Sequence, residues 1–120
     1  MVANATEGVI DSTEVKKFWR VLRWLRRTCP LGLPVSVRCK DLRVQQLCGC
    51  CYAYINTKNE IYRFVIEIDC SLGRVAAVDT LLHEWAHALD QVRDGIAAEP
   101  HRESWGSCFA EIWRNYSGYF

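Results

Sequence analysis

Two histidines and a glutamate in the segment LLHEWAHALD, residues 81–90, have the types and spacing of a metal-binding site. On a helix, His83 and His87 lie one turn apart on the same face, so both imidazoles can bind one ion. Glu84 directly follows the first histidine, which places its carboxylate beside the ion as a general base for a metal-activated water. The motif therefore predicts a helical zinc site with hydrolytic chemistry.

A catalytic zinc ion needs a third protein ligand and an open coordination position. The third and last histidine of the chain, His101, comes fourteen residues after His87 and precedes another helical pattern. If the two helices pack together, the connection between them returns His101 to the metal. Glu103 and Glu111 are the alternative third ligands. We predict one zinc ion held by the three histidines, because imidazole ligands favour zinc among the common divalent ions.

The segments HEWAHALD and HRESWGSCFAEIWR, at residues 83–90 and 101–114, resemble the SprT-like minimal zincins, compact metallopeptidases related to the Spartan and WSS-type proteases. Members of that family share the HExxH motif and a later histidine that opens a helix. They also have an aromatic residue shortly after that histidine, which Trp105 matches here. Many members have glycine where this chain has Arg102. The resemblance implies a minimal zincin fold and hydrolysis of peptide bonds.

The same resemblance implies a mechanism and a way of binding substrate. Zinc lowers the pKa of a bound water and polarises the scissile carbonyl, while Glu84 takes the proton and passes it to the leaving amine. In zincins the strand at the edge of the cleft binds the substrate as an added strand. We expect residues 61–68 to form that edge.

Further polar residues near the motif are candidates for supporting roles. Asp79 and Asp90 lie within about one helical turn of the ligand histidines, so either can accept their second ring N–H. A solvated helix face is the alternative interpretation of both. Arg102, Tyr116 and Tyr119 are alternative donors to the oxyanion of the transition state.

Hydrophobic periodicity predicts that three helices and three strands position these residues. We expect an α+β fold over residues 12–120, with a small, mainly antiparallel sheet, and short connections favour an antiparallel meander. The expected helices cover residues 12–29, 71–95 and 101–116, and the expected strands cover residues 33–42, 47–56 and 61–70.

Local signals refine the boundaries of these elements. Ser71 is the expected cap of the motif helix, and Gly95 is expected directly after its end. Gly49, inside the second strand, suggests a β-bulge. Residues 1–11 are predicted to be a flexible tail.

The charges are unevenly distributed along the chain. Residues 1–40 contain eight of the fifteen lysines and arginines but only three of the fourteen acids. Part of this excess forms a basic face on the first helix, which predicts weak contact with a nucleic acid. The alternative is the solvated side of an amphipathic helix. The basic face consists of Lys16, Arg20, Arg23 and Arg27.

The seven cysteines are an odd number, and no export signal is evident at the start of the chain. Both observations favour free thiols over a disulfide framework. Cys50 and Cys51 are poorly placed to share one ion, because adjacent strand residues point to opposite faces. No apolar run approaches the length of a membrane span, so we expect a cytoplasmic location, in the host cytoplasm if the source is a bacteriophage, and no membrane partner.

These observations predict a zinc-dependent metallopeptidase that acts on a protein or peptide substrate. Two alternatives are a non-catalytic module stabilised by zinc and a nucleic-acid-associated adaptor. Glu84 favours the enzyme, because a purely structural zinc site gains nothing from a general base.

Overall fold

The computed structural model describes residues 12–96, 99 and 101–120, with side chains from residue 16 onwards. The expected tail, residues 1–11, lies outside the described residues. The α+β class and the order of helix, sheet, motif helix and last helix are confirmed. The elements are α1 (Ser12–Thr28), β1 (Val35–Lys40), β2 (Gly49–Ile55), β3 (Ile61–Asp69), α2 (Arg74–Asp94) and α3 (Glu103–Tyr119).

The sheet has the strand order β1-β3-β2, so the expected antiparallel meander is wrong for one of the two strand pairs. The β2 and β3 strands form an antiparallel hairpin, but β1 pairs with β3 in parallel. The reason is the burial of β3, in which every residue from Phe64 to Asp69 is buried. A strand that is buried on both faces is most stable in the middle of a sheet.

The connection from β1 to β2, residues 41–48, crosses the end of β3. The backbone N–H of Leu42 donates a hydrogen bond of 3.1 Å to the Asp69 carboxylate. The backbone N–H of Asp69 in turn donates to the carbonyl of Cys48 at 2.7 Å. These bonds hold the connection in place and let β1 and β2 lie on opposite sides of β3.

One face of the sheet packs against the helices to form the core. Phe64, Ile66 and Ile68 belong to the same cluster of buried residues as Leu25 of α1 and Leu82 of α2. The burial of one such side chain contributes roughly 1.5–3 kcal/mol to the free energy of folding. The core therefore fixes the position of α2 relative to both α1 and the sheet.

The motif helix α2 is the central helix of the fold. Trp85 is almost fully buried, and its ring N–H donates to the carbonyl of Cys29, just after α1, at 2.9 Å. The helix ends before Gly95, as predicted, and this glycine has a φ of 79°. It begins later than predicted, because Gly73 is its N-cap and the Ser71 hydroxyl donates instead to Asp69.

No helix within the described residues has both the length and the apolar character needed to cross a membrane.

Candidate metal centre

The ring nitrogens of the three histidines converge on one point. The Nε2 atom of His83 lies 3.1 Å from Nε2 of His87 and 3.1 Å from Nε2 of His101. One ligand atom from each histidine lies within 4.8 Å of the other two. Two nitrogens that each lie about 2.1 Å from a tetrahedral zinc ion are about 3.4 Å apart. The structure thus brings together the three histidines that the sequence singles out, at a spacing that suits one metal ion.

Trp105 contacts all three imidazoles and orients them. Its ring is stacked on His87, with centroids 5.2 Å apart, and lies 4.8 Å from His83 and 4.7 Å from His101. Phe109 is stacked against the other side of Trp105 at 5.3 Å. The sequence identifies Trp105 through its resemblance to a family position, and its contacts give that position a physical role.

Burial favours the neutral form of the two helical histidines. Desolvation, followed by the charge of His101, lowers the pKa of the His83 ring. Desolvation and the two neighbouring histidines lower the pKa of His87 to about 4. Neutral imidazoles have a free lone pair, which is the form that binds a metal ion.

Glu84 lies in the same cleft as the histidines, and only 7% of the residue is exposed. Burial raises the pKa of its carboxyl to about 7. The Glu84 side chain forms no hydrogen bond with any of the described residues. Glu84 is therefore a largely buried acid that lines the cleft beside three converging imidazoles, with no hydrogen-bond partner among the described residues.

The cleft has a volume of about 770 Å³ and lies between α2, α3 and the start of β2. The expectation that residues 61–68 form its edge is wrong, because β3 lies between β1 and β2 and its residues 64–68 are paired on both sides. A strand with two partners has no free backbone groups to offer to a peptide. The strand that borders the cleft is β2, which within residues 12–96, 99 and 101–120 has a partner strand on only one side.

Comparison with known proteins gives no family assignment. No protein-family model matches the chain. No curated protein matches it, and no solved structure matches it. The likeness to SprT-like zincins therefore remains a prediction from the motif, and the functional argument rests on the geometry of the cleft.

Gly49 is a site residue that the sequence interpretation placed in the wrong role. The strand irregularity lies between Tyr54 and Ile55, so Gly49 does not form a bulge. A Cβ atom on Gly49 would instead lie 2.5 Å from the Thr80 side chain and 3.3 Å from the Glu84 side chain. The absence of a side chain lets β2 approach α2 directly above the candidate base. A glycine within a strand indicates either a bulge or the close approach of another part of the chain, so the sequence did contain a signal for this contact.

Replacing Gly49 by alanine is expected to lower the free energy of unfolding by about 1–3 kcal/mol, the usual effect of overpacking. The added methyl group must displace either Thr80 or the strand. Urea unfolding of the metal-free protein measures the change. Gly106→Ala is the matched control, because a Cβ there meets nothing within 4 Å and alanine favours the α3 helix. Equal losses in the two variants would contradict this account of Gly49.

The remaining candidates near the motif have different surroundings. Asp79 is exposed and lines the cleft, and it accepts no hydrogen bond from a histidine among the described residues. Asp90 is buried and accepts a hydrogen bond of 2.9 Å from Arg102 rather than from a histidine. Asp90 and Arg102 therefore form an ion pair beside the site.

The residues proposed as oxyanion donors do not line the cleft. Arg102 is engaged by Asp90 and by the carbonyl of Gly95. Tyr116 packs against Trp24 and Phe120, and the ring of Tyr119 lies 5.9 Å from that of Trp24. The two glutamates considered as third ligands are also elsewhere: Glu111 pairs with Arg93 at 3.1 Å, and Glu103 is exposed in the first turn of α3.

The cysteines next to the cleft point to opposite faces of the sheet, as expected. The Cys50 thiol donates to Glu67 at 3.7 Å on the outer face. Cys51 is packed against the core, and burial raises the pKa of its thiol to about 12. Within the described part of the chain, the three histidines are the only group of residues arranged to hold a metal ion.

The basic face of α1 is separate from the cleft. All four of its side chains are exposed, and none of them lines the cleft. Arg20 packs its guanidinium over the ring of Phe120 at 5.8 Å. Contact with a nucleic acid stays a prediction. The face consists of Lys16, Arg20, Arg23 and Arg27.

Proposed function

We propose that this chain is a zinc-dependent metallopeptidase, with Glu84 as the general base and His83, His87 and His101 as the metal ligands. The observation that carries the proposal is a largely buried carboxyl, with no hydrogen-bond partner among the described residues, in the same cleft as three converging imidazoles. Burying a carboxyl without a partner is unfavourable, so its presence there is better explained by chemistry than by stability.

The number of ligands also favours a catalytic site. Structural zinc sites are closed by four protein ligands, whereas catalytic sites keep one position open for water or substrate. The group of ligand atoms within the described residues contains three histidines and no fourth side chain. This donor set would suit a zinc ion and would leave a coordination position for water or substrate.

The chemistry divides between the ion and the carboxylate. When bound, zinc acidifies water and withdraws electrons from the scissile carbonyl. Glu84 accepts the proton from the attacking water and later donates it to the nitrogen of the leaving amine, as a general base and then a general acid. Trp105 keeps the three imidazole rings oriented while the substrate reacts.

The free edge of β2 offers a place for an extended peptide. The start of this strand borders the cleft next to Glu84, and none of the strands that the structure describes pairs with its outer side. A peptide that pairs with β2 receives backbone hydrogen bonds that do not depend on its sequence. The scissile bond then lies beside α2. This arrangement supports a protein or an unfolded segment as the substrate.

The experiment is to incubate zinc-loaded protein with an unfolded protein and to identify new amino termini by mass spectrometry. Cleavage is expected with zinc, is lost on chelation and returns when zinc is restored. If the protein binds one zinc ion and generates no new termini from folded or unfolded substrates, the non-catalytic zinc-stabilised module becomes the better explanation.

A further inference from the structure

We infer that Arg102 and Asp90 form a clamp that positions His101 for metal binding. The inference rests on the three-histidine site of the proposed function, but it does not depend on peptidase activity. It assigns to Arg102 a different role from that of an oxyanion donor, at a position directly beside a metal ligand.

His101 needs such a device more than the other two ligands do. His83 and His87 are half-buried and belong to α2, so the helix itself sets their spacing. His101 is exposed and precedes α3, which begins at Glu103. Its ring contacts Trp105, but no regular element holds its backbone. A ligand in this position binds well only if neighbouring contacts keep it in place before the metal arrives.

Arg102 supplies these contacts through two nitrogens of its guanidinium group. One nitrogen donates to the Asp90 carboxylate at 2.9 Å, and another donates to the carbonyl of Gly95. Asp90 is buried in α2, three residues after His87, and Gly95 is the C-cap of the same helix. The guanidinium therefore joins the residue after His101 to two points on the helix that carries the other ligands.

The geometry requires an arginine. A planar guanidinium can donate in two directions at once, whereas a lysine ammonium acts as a single point charge on a flexible stem. The Asp90 side chain is 5% exposed and that of Arg102 is 24% exposed, so water competes little for this pair. The pair is thus suited to fix the position of Arg102 relative to α2, and not only to attract α3 towards α2 by charge.

A second ion pair between the same helices provides a matched control. Arg93 of α2 and Glu111 of α3 are linked by hydrogen bonds of 3.1 and 3.2 Å. Their side chains are 46% and 40% exposed, and neither residue is adjacent to a ligand histidine. Loss of this pair tests whether any weakening of the α2–α3 contact is enough to disturb the metal site.

The test measures zinc affinity by competition with a chromophoric chelator for the wild type, Arg102→Gln, Arg102→Lys and Glu111→Gln. Arg102→Gln removes a positive charge near the cation, so electrostatics alone would tighten zinc binding. The clamp predicts the opposite, a weakening of about tenfold or more, as is typical when a supporting residue of a metal ligand is lost. Arg102→Lys keeps the charge and is expected to restore only part of the affinity. Glu111→Gln is expected to bind zinc like the wild type.

Cobalt provides a readout that a merely structural role would not change. Loss of one imidazole ligand alters the visible absorption of bound Co²⁺, so Arg102→Gln is expected to differ from both the wild type and Glu111→Gln. If Arg102→Gln does not fold because Asp90 is left unpaired, the charge-neutral pair Asp90→Asn with Arg102→Gln replaces it, and the same weakening is expected.

Two outcomes overturn the inference in distinguishable ways. If the wild type binds zinc and Arg102→Gln binds it equally or more tightly, the clamp is wrong and the proposed function stands. If the wild type itself binds no zinc, both the site and the clamp fail.

Discussion

Replacing Glu84 by glutamine is expected to slow peptide hydrolysis by about 100-fold to 10,000-fold, the usual contribution of a general base. Glutamine has nearly the same shape as glutamate but cannot accept a proton from water. The three histidines are untouched, so the variant should bind as much zinc as the wild type. Hydrolysis of an unfolded protein and the metal content of the same samples are the measurements.

The structure suggests a matched control for this variant. Glu103→Gln makes the same chemical change at an exposed position in the first turn of α3, outside the cleft. Its hydrolysis should equal that of the wild type. Because the buried Glu84 carboxyl has no described partner, Glu84→Gln should also be at least as stable as the wild type. Activity close to that of the wild type in Glu84→Gln would rule out the proposed base.

Zinc is expected to stabilise the folded chain, because the three ligands come together only when α2 and the start of α3 are in place. At a free zinc concentration 100 times the dissociation constant, the gain is about 2.7 kcal/mol. For a domain of this size, that gain raises the midpoint of thermal unfolding by about 10 °C. Calorimetry with zinc and with a chelator measures the difference.

His87→Ala is the variant that tests this coupling. It removes one of the three ligands, so both the bound zinc and the zinc-dependent rise in the midpoint should be lost. Val92→Ala, at an exposed position further along α2, should retain both. An equal rise in wild type and His87→Ala would mean that zinc acts elsewhere on the chain.

The two candidate metal ligands on α2 were predictable because their spacing is set within one helix. A helix places residues four apart on one face whatever surrounds it, so His83 and His87 required only the correct assignment of a helix. The apolar periodicity around the two histidines and Gly95, directly after the end of the helix, supported the assignment of a helix. His101 was a weaker prediction, since its position depends on how α2 and α3 pack.

The order of the strands in the sheet depends on which strand is most buried, and the lengths of the connections do not reveal this. Short connections favour neighbouring strands, and this rule predicted the β2–β3 hairpin correctly. It failed for β1, because residues 64–69 of β3 are buried, and a strand buried on both faces is most stable between two neighbouring strands. The near-continuous apolar run of residues 64–68 was the signal for a central strand. The wrong prediction that β3 forms the edge of the cleft followed from this, since a central strand has a neighbouring strand on each side.

The sequence by itself determined the α+β class, the helical motif and the identity of the candidate ligands, because these follow from periodicity and from short spacing along one helix. Only the tertiary structure decided that β2 borders the cleft, that Gly49 permits its close approach to α2 and that Arg102 pairs with Asp90 instead of lining the cleft. Each of these depends on contacts between residues distant in the chain, whose geometry is set by the packing of the whole core.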